Sequence, residues 1–128
     1  MAFDTPPGEL LSRFLTQRDQ FRNGIVRHTA FSPPKSQRLS VYWISNVPDS
    51  EVWSIGDTYV APARGPILGR ADLNSLVVYE NNLAVAVTGE PHPRHADIFN
   101  WGADRRKVRL QATKLADRST LVIVPPVA

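Results

Sequence analysis

The chain contains no cysteine, so whatever it folds into has no covalent staple and depends chiefly on burial of apolar side chains. Disulfides, zinc–thiolate sites, iron–sulfur clusters and thiol nucleophiles are excluded together. At 128 residues the chain has the length of one domain and can bury a working core without covalent staples. Hydrophobic residues make up 42% of it and charged residues 21%, far from the weakly apolar, highly charged signature of disorder. Apolar runs such as Leu121–Val124 fall well short of the roughly 20 residues that a membrane-spanning helix requires. The opening Met-Ala-Phe-Asp-Thr-Pro-Pro has neither the basic region nor the apolar stretch of a secretory signal. The expectation is a cytoplasmic protein with no membrane contact.

Periodicity predicts a helix over about residues 6–22. Thr5 and Pro6 supply a cap and a first-turn proline, Leu10, Leu11, Phe14, Leu15, Arg18 and Phe21 recur at helical spacing, and Asn23-Gly24 ends the run. Ile25–Phe31 reads as a strand stopped by Pro33-Pro34. Arg38–Ile44 reads as a central strand, with Leu39, Val41 and Trp43 on one face and Ser40 and Tyr42 on the other. A second helix starts at Pro48-Asp49-Ser50-Glu51, carries Val52, Trp53, Tyr59 and Val60 as its apolar stripe, and stops at Pro62. Residues 61–69 then form a loop suited to a mobile lid.

Three short strands follow, over residues 68–73, 76–80 and 83–88, with the last two joined in a hairpin across Asn81-Asn82. Residues 89–102 read as loop. A helix from about Asp104 buries Val108, Ala112, Leu115 and Ala116, and Thr120–Val124 closes the chain as a buried strand. The order predicts an α+β fold: a single domain over residues 1–128 with its core in 25–124, built as a mainly antiparallel sheet with about three helices packed on it.

Chemistry concentrates between Pro91 and Trp101, where His92, His95 and Asp97 fall within six residues. Imidazole and carboxylate groups at this spacing suit a divalent metal such as zinc, manganese or iron. Alternatively, if Arg94–Ile98 is extended, His95 and Asp97 share one side and Asp97 can orient the His95 ring for acid–base work. His28 is the remaining histidine, and a His28/His95 pair would give a base and an acid without a metal, with Arg27 or Arg94 stabilising negative charge. Arg94 supplies a planar fork for a phosphate or carboxylate, and Trp101 is a pocket wall or a core residue. Arg70 and Asp72 read as an ion pair of little weight at a strand edge.

The formal net charge is +3, and Arg105, Arg106, Lys107 and Arg109, followed by Lys114 and Arg118, gather much of the positive charge on one element. Such a face suits a nucleic-acid or protein partner. No Gly-x-Ser-x-Gly elbow, Gly-x-Gly-x-x-Gly turn or phosphate loop is present, so a serine hydrolase is set aside and no nicotinamide, flavin, haem or iron–sulfur cofactor is expected. Two readings remain. One is an interaction module using the basic helix, and the other is a small hydrolase of a phosphodiester or nucleotide, using His95 and Asp97 with a metal or with His28.

The series Leu39-Ser40-Val41, Trp53-Ser54-Ile55-Gly56, Gly69-Arg70-Ala71-Asp72-Leu73 and Arg94-His95-Ala96-Asp97-Ile98 with Trp101 resembles small bacterial proteins to which no activity is attached. The likeness runs over roughly residues 25–124. It implies a bacterial source and transfers no catalytic residue.

Overall fold

The computed structural model describes residues 3–4 and 8–125. The alternation in residues 38–44 produces β5 (Leu39–Trp43), which lies in the middle of a seven-stranded sheet. The other strands of this sheet are β1 (Phe3–Asp4), β2 (Leu10–Leu15), β6 (Gly69–Asn74), β7 (Ala84–Val87), β8 (His95–Phe99) and β9 (Thr120–Ile123). Their order is β1-β7-β8-β5-β2-β6-β9, and every neighbouring pair is antiparallel. The α+β class and single domain follow.

Helices cover both faces. On one face, α4 (Arg105–Arg118) and a 3-10 turn at His28–Phe31 close a core that includes Leu11, Leu15, Phe31, Leu39, Val41, Leu73, Val85, Ile98, Trp101 and Leu115. On the other, a continuous helical stretch of α1 (Asp49–Ile55), a π-helical turn (Gly56–Val60) and α2 (Ala61–Arg64) packs over Phe14, Tyr42, Ile44 and Ile67. At Gly56 a Cβ would lie 2.7 Å from Cε1 of Phe14, so the absence of a side chain there lets the helix approach the sheet.

The helix expected over residues 6–22 is replaced by β2, a 3-10 turn at Arg18–Gln20 and β3 (Phe21–Arg22). Thr5 and Pro6 lie outside the described residues. In Leu10–Leu15 the apolar residues fit both periods, because the strand is central and buries Leu11 and Leu15 on one face and Phe14 on the other. Asn23-Gly24, with φ of 52° and 78°, forms the tight turn between β3 and β4 (Ile25–Val26). It is the Asn-Gly hairpin signal rather than a helix stop. The strand expected through Phe31 therefore ends at Val26 and gives way to the 3-10 turn.

Residues Ser75–Glu80 are helical (α3), not a strand, so there is no hairpin across Asn81-Asn82. The Asn74 side chain caps the helix by accepting from the Leu76 N–H at 2.9 Å, and Asn82 takes its positive φ of 62° just past the helix C-terminus. Burial of Val77 and Val78 outweighs the strand preference of their branched side chains. Pro62 does not stop the second helix: it falls in α2 directly after the π-helical turn, and the helical run continues through it to Arg64. Residues 61–64 are helical rather than a lid, and β9 is a partly exposed edge strand rather than a buried one. Helix α4 begins where expected, with Asp104 accepting from the Lys107 N–H at 2.8 Å, and it buries Ala112, Leu115 and Ala116 with Val108 partly covered.

Candidate functional site

Strands β2 and β5 pair at only two positions, Leu11 with Trp43 and Ser12 with Tyr42. Beyond Ser12 their ladder stops, and Arg13 bridges the gap. Its Nη1 donates to the Ser40 carbonyl at 3.0 Å, where the ladder has opened, and its Nε to the Ala30 carbonyl of the 3-10 turn at 3.0 Å. Over this gap, between the sheet and the π-helical turn with α2, lies a cleft of about 230 Å³ lined by Arg13, Ser40, Tyr42, Tyr59, Arg64 and His95 among others.

The electrostatics of the cleft are one-sided. Neither Arg13 nor Arg64 has an ion pair among the described residues. Burial, and then the neighbouring Arg64 charge, push the Arg13 guanidinium down to about 10. Two guanidinium groups that face one concavity, one of them largely desolvated, favour any anion that enters between them.

His95 sits at the start of β8 with its side chain only 12% exposed. Its Nδ1 lies 2.6 Å from Thr88 Oγ1, and its Nε2 lies 2.6 Å from Ser40 Oγ. The Thr88 hydroxyl also lies 3.0 Å from Glu90 O and 3.2 Å from His95 O, so it can donate to a carbonyl while accepting from a proton on Nδ1. With the proton on Nδ1, the Nε2 lone pair is left for the Ser40 hydroxyl to donate to. Burial holds the imidazole below its ordinary value of 6.5, partly opposed by Asp97. The resting ring is neutral at pH 7, with its basic nitrogen on a serine.

A stability prediction follows from that shift. Folded His95 refuses a proton that the unfolded chain accepts, so its contribution is whole above about pH 6.5 and is lost as pH falls toward the lowered folded value. Urea unfolding as a function of pH should give a shallower loss for His95→Gln than for the wild type. Part of the slope should remain, because burial also lowers His28. Equal slopes in the two proteins would contradict the assignment.

Family models, curated proteins and solved structures give no match to this chain.

Several expected partners separate. Asp97 shares the His95 face, as the extended reading requires, but its Oδ1 is 3.9 Å from Nε2 while its Oδ2 accepts from Arg38 Nε at 2.9 Å. Thr88, not Asp97, orients the ring. His92 stacks edge-on against Tyr59 at 5.0 Å between centroids, and its Nδ1 accepts from the Arg94 N–H at 3.0 Å. Among the described residues no three His, Asp or Glu side chains converge as a metal set, so His92, His95 and Asp97 do not form the ligand cluster their spacing allowed.

Arg94 lies over the Trp43 ring at 4.8 Å and is not part of the cleft lining. Trp101 is core, 7% exposed, and donates from Nε1 to the Ile98 carbonyl at 3.1 Å, which removes it as a pocket wall. His28 lies on the α4 side of the sheet, in a second concavity with Lys35, Arg105 and Arg109. His95 opens on the other side, so a two-histidine mechanism has no geometry here.

Sequence reasoning missed Arg13, Arg64, Tyr42, Tyr59 and Thr88 as site residues, and it set Ser40 aside with Ser32 and Ser45 because no elbow motif surrounds them. One signal was available: an arginine inside the apolar strand Leu10–Leu15 has to find acceptors or a ligand. Ser40 and Tyr42 come in through the pairing of β5 with β8, which sets Tyr42 opposite His95 and Ser40 opposite Asp97, Thr88 follows β7, and Tyr59 and Arg64 come from the π-helical turn and α2.

Proposed function

We propose that the protein binds a phosphate-bearing small molecule in the cleft above the β2–β5 gap. The observation that carries this reading is the pair Arg13 and Arg64, two guanidinium groups without carboxylate partners among the described residues, lining one concavity. Arg13 is held by two carbonyls and is already oriented before a ligand arrives. Arg64, exposed on α2, closes from the other side. Tyr42 and Tyr59 offer ring surfaces and hydroxyls to the group that carries the phosphate, and burial raises the Tyr42 hydroxyl above its ordinary value, so it remains a donor. The cleft suits a phosphate with a small ring attached better than a large ligand.

Phenylphosphonate, a phosphate analogue that resists hydrolysis, is the test ligand. Isothermal calorimetry should detect its binding, and Arg64→Ala should weaken it by about tenfold to a hundredfold, the worth of one charge-assisted hydrogen bond. Equal affinity in the wild type and Arg64→Ala, or no heat in either, would end the proposal.

A second reading rests on α4. Arg105, Arg106, Lys107, Arg109 and Lys114 are exposed, and none of them has an ion pair among the described residues. This face supports sequence-independent contact with a nucleic-acid backbone. Binding to a fluorescent duplex should fall steeply with salt, because each neutralised phosphate releases counterions. Reversal of Arg105, Arg106 and Arg109 to glutamate should abolish it. Affinity that is level across salt would remove this mode.

A further inference from the structure

We infer that Ser40 is a nucleophile, activated by His95, and that the cleft hydrolyses a phosphate ester. The inference rests on the cleft reading for where the phosphate sits and goes beyond it in assigning a reaction. Its basis is the chain Ser40–His95–Thr88. Ser40 Oγ lies 2.6 Å from Nε2, to which it donates when the ring proton is on Nδ1, and the opposite ring nitrogen is held at 2.6 Å by Thr88, itself anchored to backbone carbonyls. A nucleophile, a base in the correct tautomer and a group that orients the base are the three parts that activate a serine. Thr88 fills the place a carboxylate takes in other arrangements.

A hydrogen bond of this kind in a sealed core would only satisfy two polar groups. Ser40 and His95 instead both line the cleft, together with Arg13 and Arg64. The Arg13 guanidinium donates to the carbonyl of Ser40 itself, which places the buried positive charge beside the nucleophile. An anionic phosphoryl group drawn to that charge arrives next to Oγ, and charge that develops on its oxygens during displacement faces fixed donors.

The steps balance with water as the only co-reactant. As the Ser40 Oγ–P bond forms, the P–O bond to the leaving alcohol breaks, and the Oγ proton passes to Nε2 and from there to the leaving oxygen. Water then attacks phosphorus and gives a proton to Nε2. The Oγ–P bond breaks, and Oγ recovers the proton. The sum is phosphate ester plus water to phosphate plus alcohol.

The test combines a covalent probe with turnover. A fluorophosphonate should label the folded full-length protein on Ser40, located by peptide mass spectrometry. Labelling should slow by about a hundredfold or more in His95→Gln, as loss of a general base predicts, and should vanish in Ser40→Ala. Hydrolysis of p-nitrophenyl phosphate should be lost in Ser40→Ala while that variant still binds phenylphosphonate, which also shows that the cleft is folded. If phenylphosphonate binds but Ser40 is not labelled, or if Ser40→Ala turns over at the wild-type rate, the nucleophile assignment is overturned and the binding reading stands. Labelling of Ser40 at the same rate in His95→Gln would equally overturn activation by His95.

Discussion

Arg70→Met should lower the stability of the fold by about 3–5 kcal/mol at neutral pH, the usual cost of removing one partner of a buried ion pair. Arg70 is 4% exposed. Its Nε bonds both oxygens of Asp72 at 3.2 Å, its Nη2 reaches Asp49 Oδ1 at 2.9 Å, and its guanidinium lies over the Trp53 ring at 4.7 Å. The Asp49 contact adds little, since that side chain is 80% exposed. The loss comes from Asp72, 11% exposed, which would be left charged in the interior. Methionine retains most of the apolar stem, so the change isolates the charge.

The pH dependence has a definite sign. Burial already raises the Asp72 carboxyl above its ordinary value of 3.8, with Arg70 pulling it back. Without Arg70 the folded carboxyl is raised further, so folded Asp72 takes up a proton before the unfolded chain does. The deficit is full above the folded value and shrinks as pH falls toward 3.8. Urea titrations at neutral pH and at about pH 4 should show the gap to the wild type narrowing, and Asp72→Asn added to Arg70→Met should recover much of it. A neutral-pH loss under about 1 kcal/mol would contradict the buried-pair account.

Phe31→Ala should cost about 3–5 kcal/mol. Phe31 is fully buried in the 3-10 turn of residues 28–31, in the core closed by α4 and the sheet. Its ring belongs to a core built by residues from strands and α4 far apart in sequence, so its removal leaves a cavity in a close-packed interior. His28→Ala, on the same turn but partly exposed, should change stability by well under half as much. Chemical denaturation followed by circular dichroism measures both. A Phe31→Ala midpoint close to that of His28→Ala would show that the turn is not a structural tie.

What could be read from sequence was whatever period and capping determine locally. The alternation of Leu39, Val41 and Trp43 against Ser40 and Tyr42, and the Asp104 start of the last helix, depend on residues a few positions apart. Leu10–Leu15 and Leu76–Glu80 were misread for opposite reasons. The first is buried on both faces and so lost its strand alternation, while in the second, branched residues were drawn into a helix by burial against the core. Asn23, Gly24 and Asn82 carry the positive φ their composition suggests, yet each turn serves the element type assigned to the other. The site was half legible: His95 stood out in a stretch read as loop, which is in fact strand β8 from His95 to Phe99, but its real partners, Ser40 and Thr88, are ordinary residues 55 and 7 positions away. Only strand pairing brings them to its ring. Arg13 was hidden because a guanidinium in a helix would have pointed harmlessly to solvent.

The two-pair contact between β2 and β5 divides the sheet into panels. One holds β1, β7, β8 and β5, the other β2, β6 and β9, and the seam between them is closed at one end by backbone and at the other by the side chain of Arg13. Ser40 and His95 belong to the first panel and Arg13 to the second. A ligand that touches all three is gripped across the seam, so the angle between the panels sets the reach from guanidinium to imidazole, and occupancy of the cleft acts as a clasp on the sheet itself.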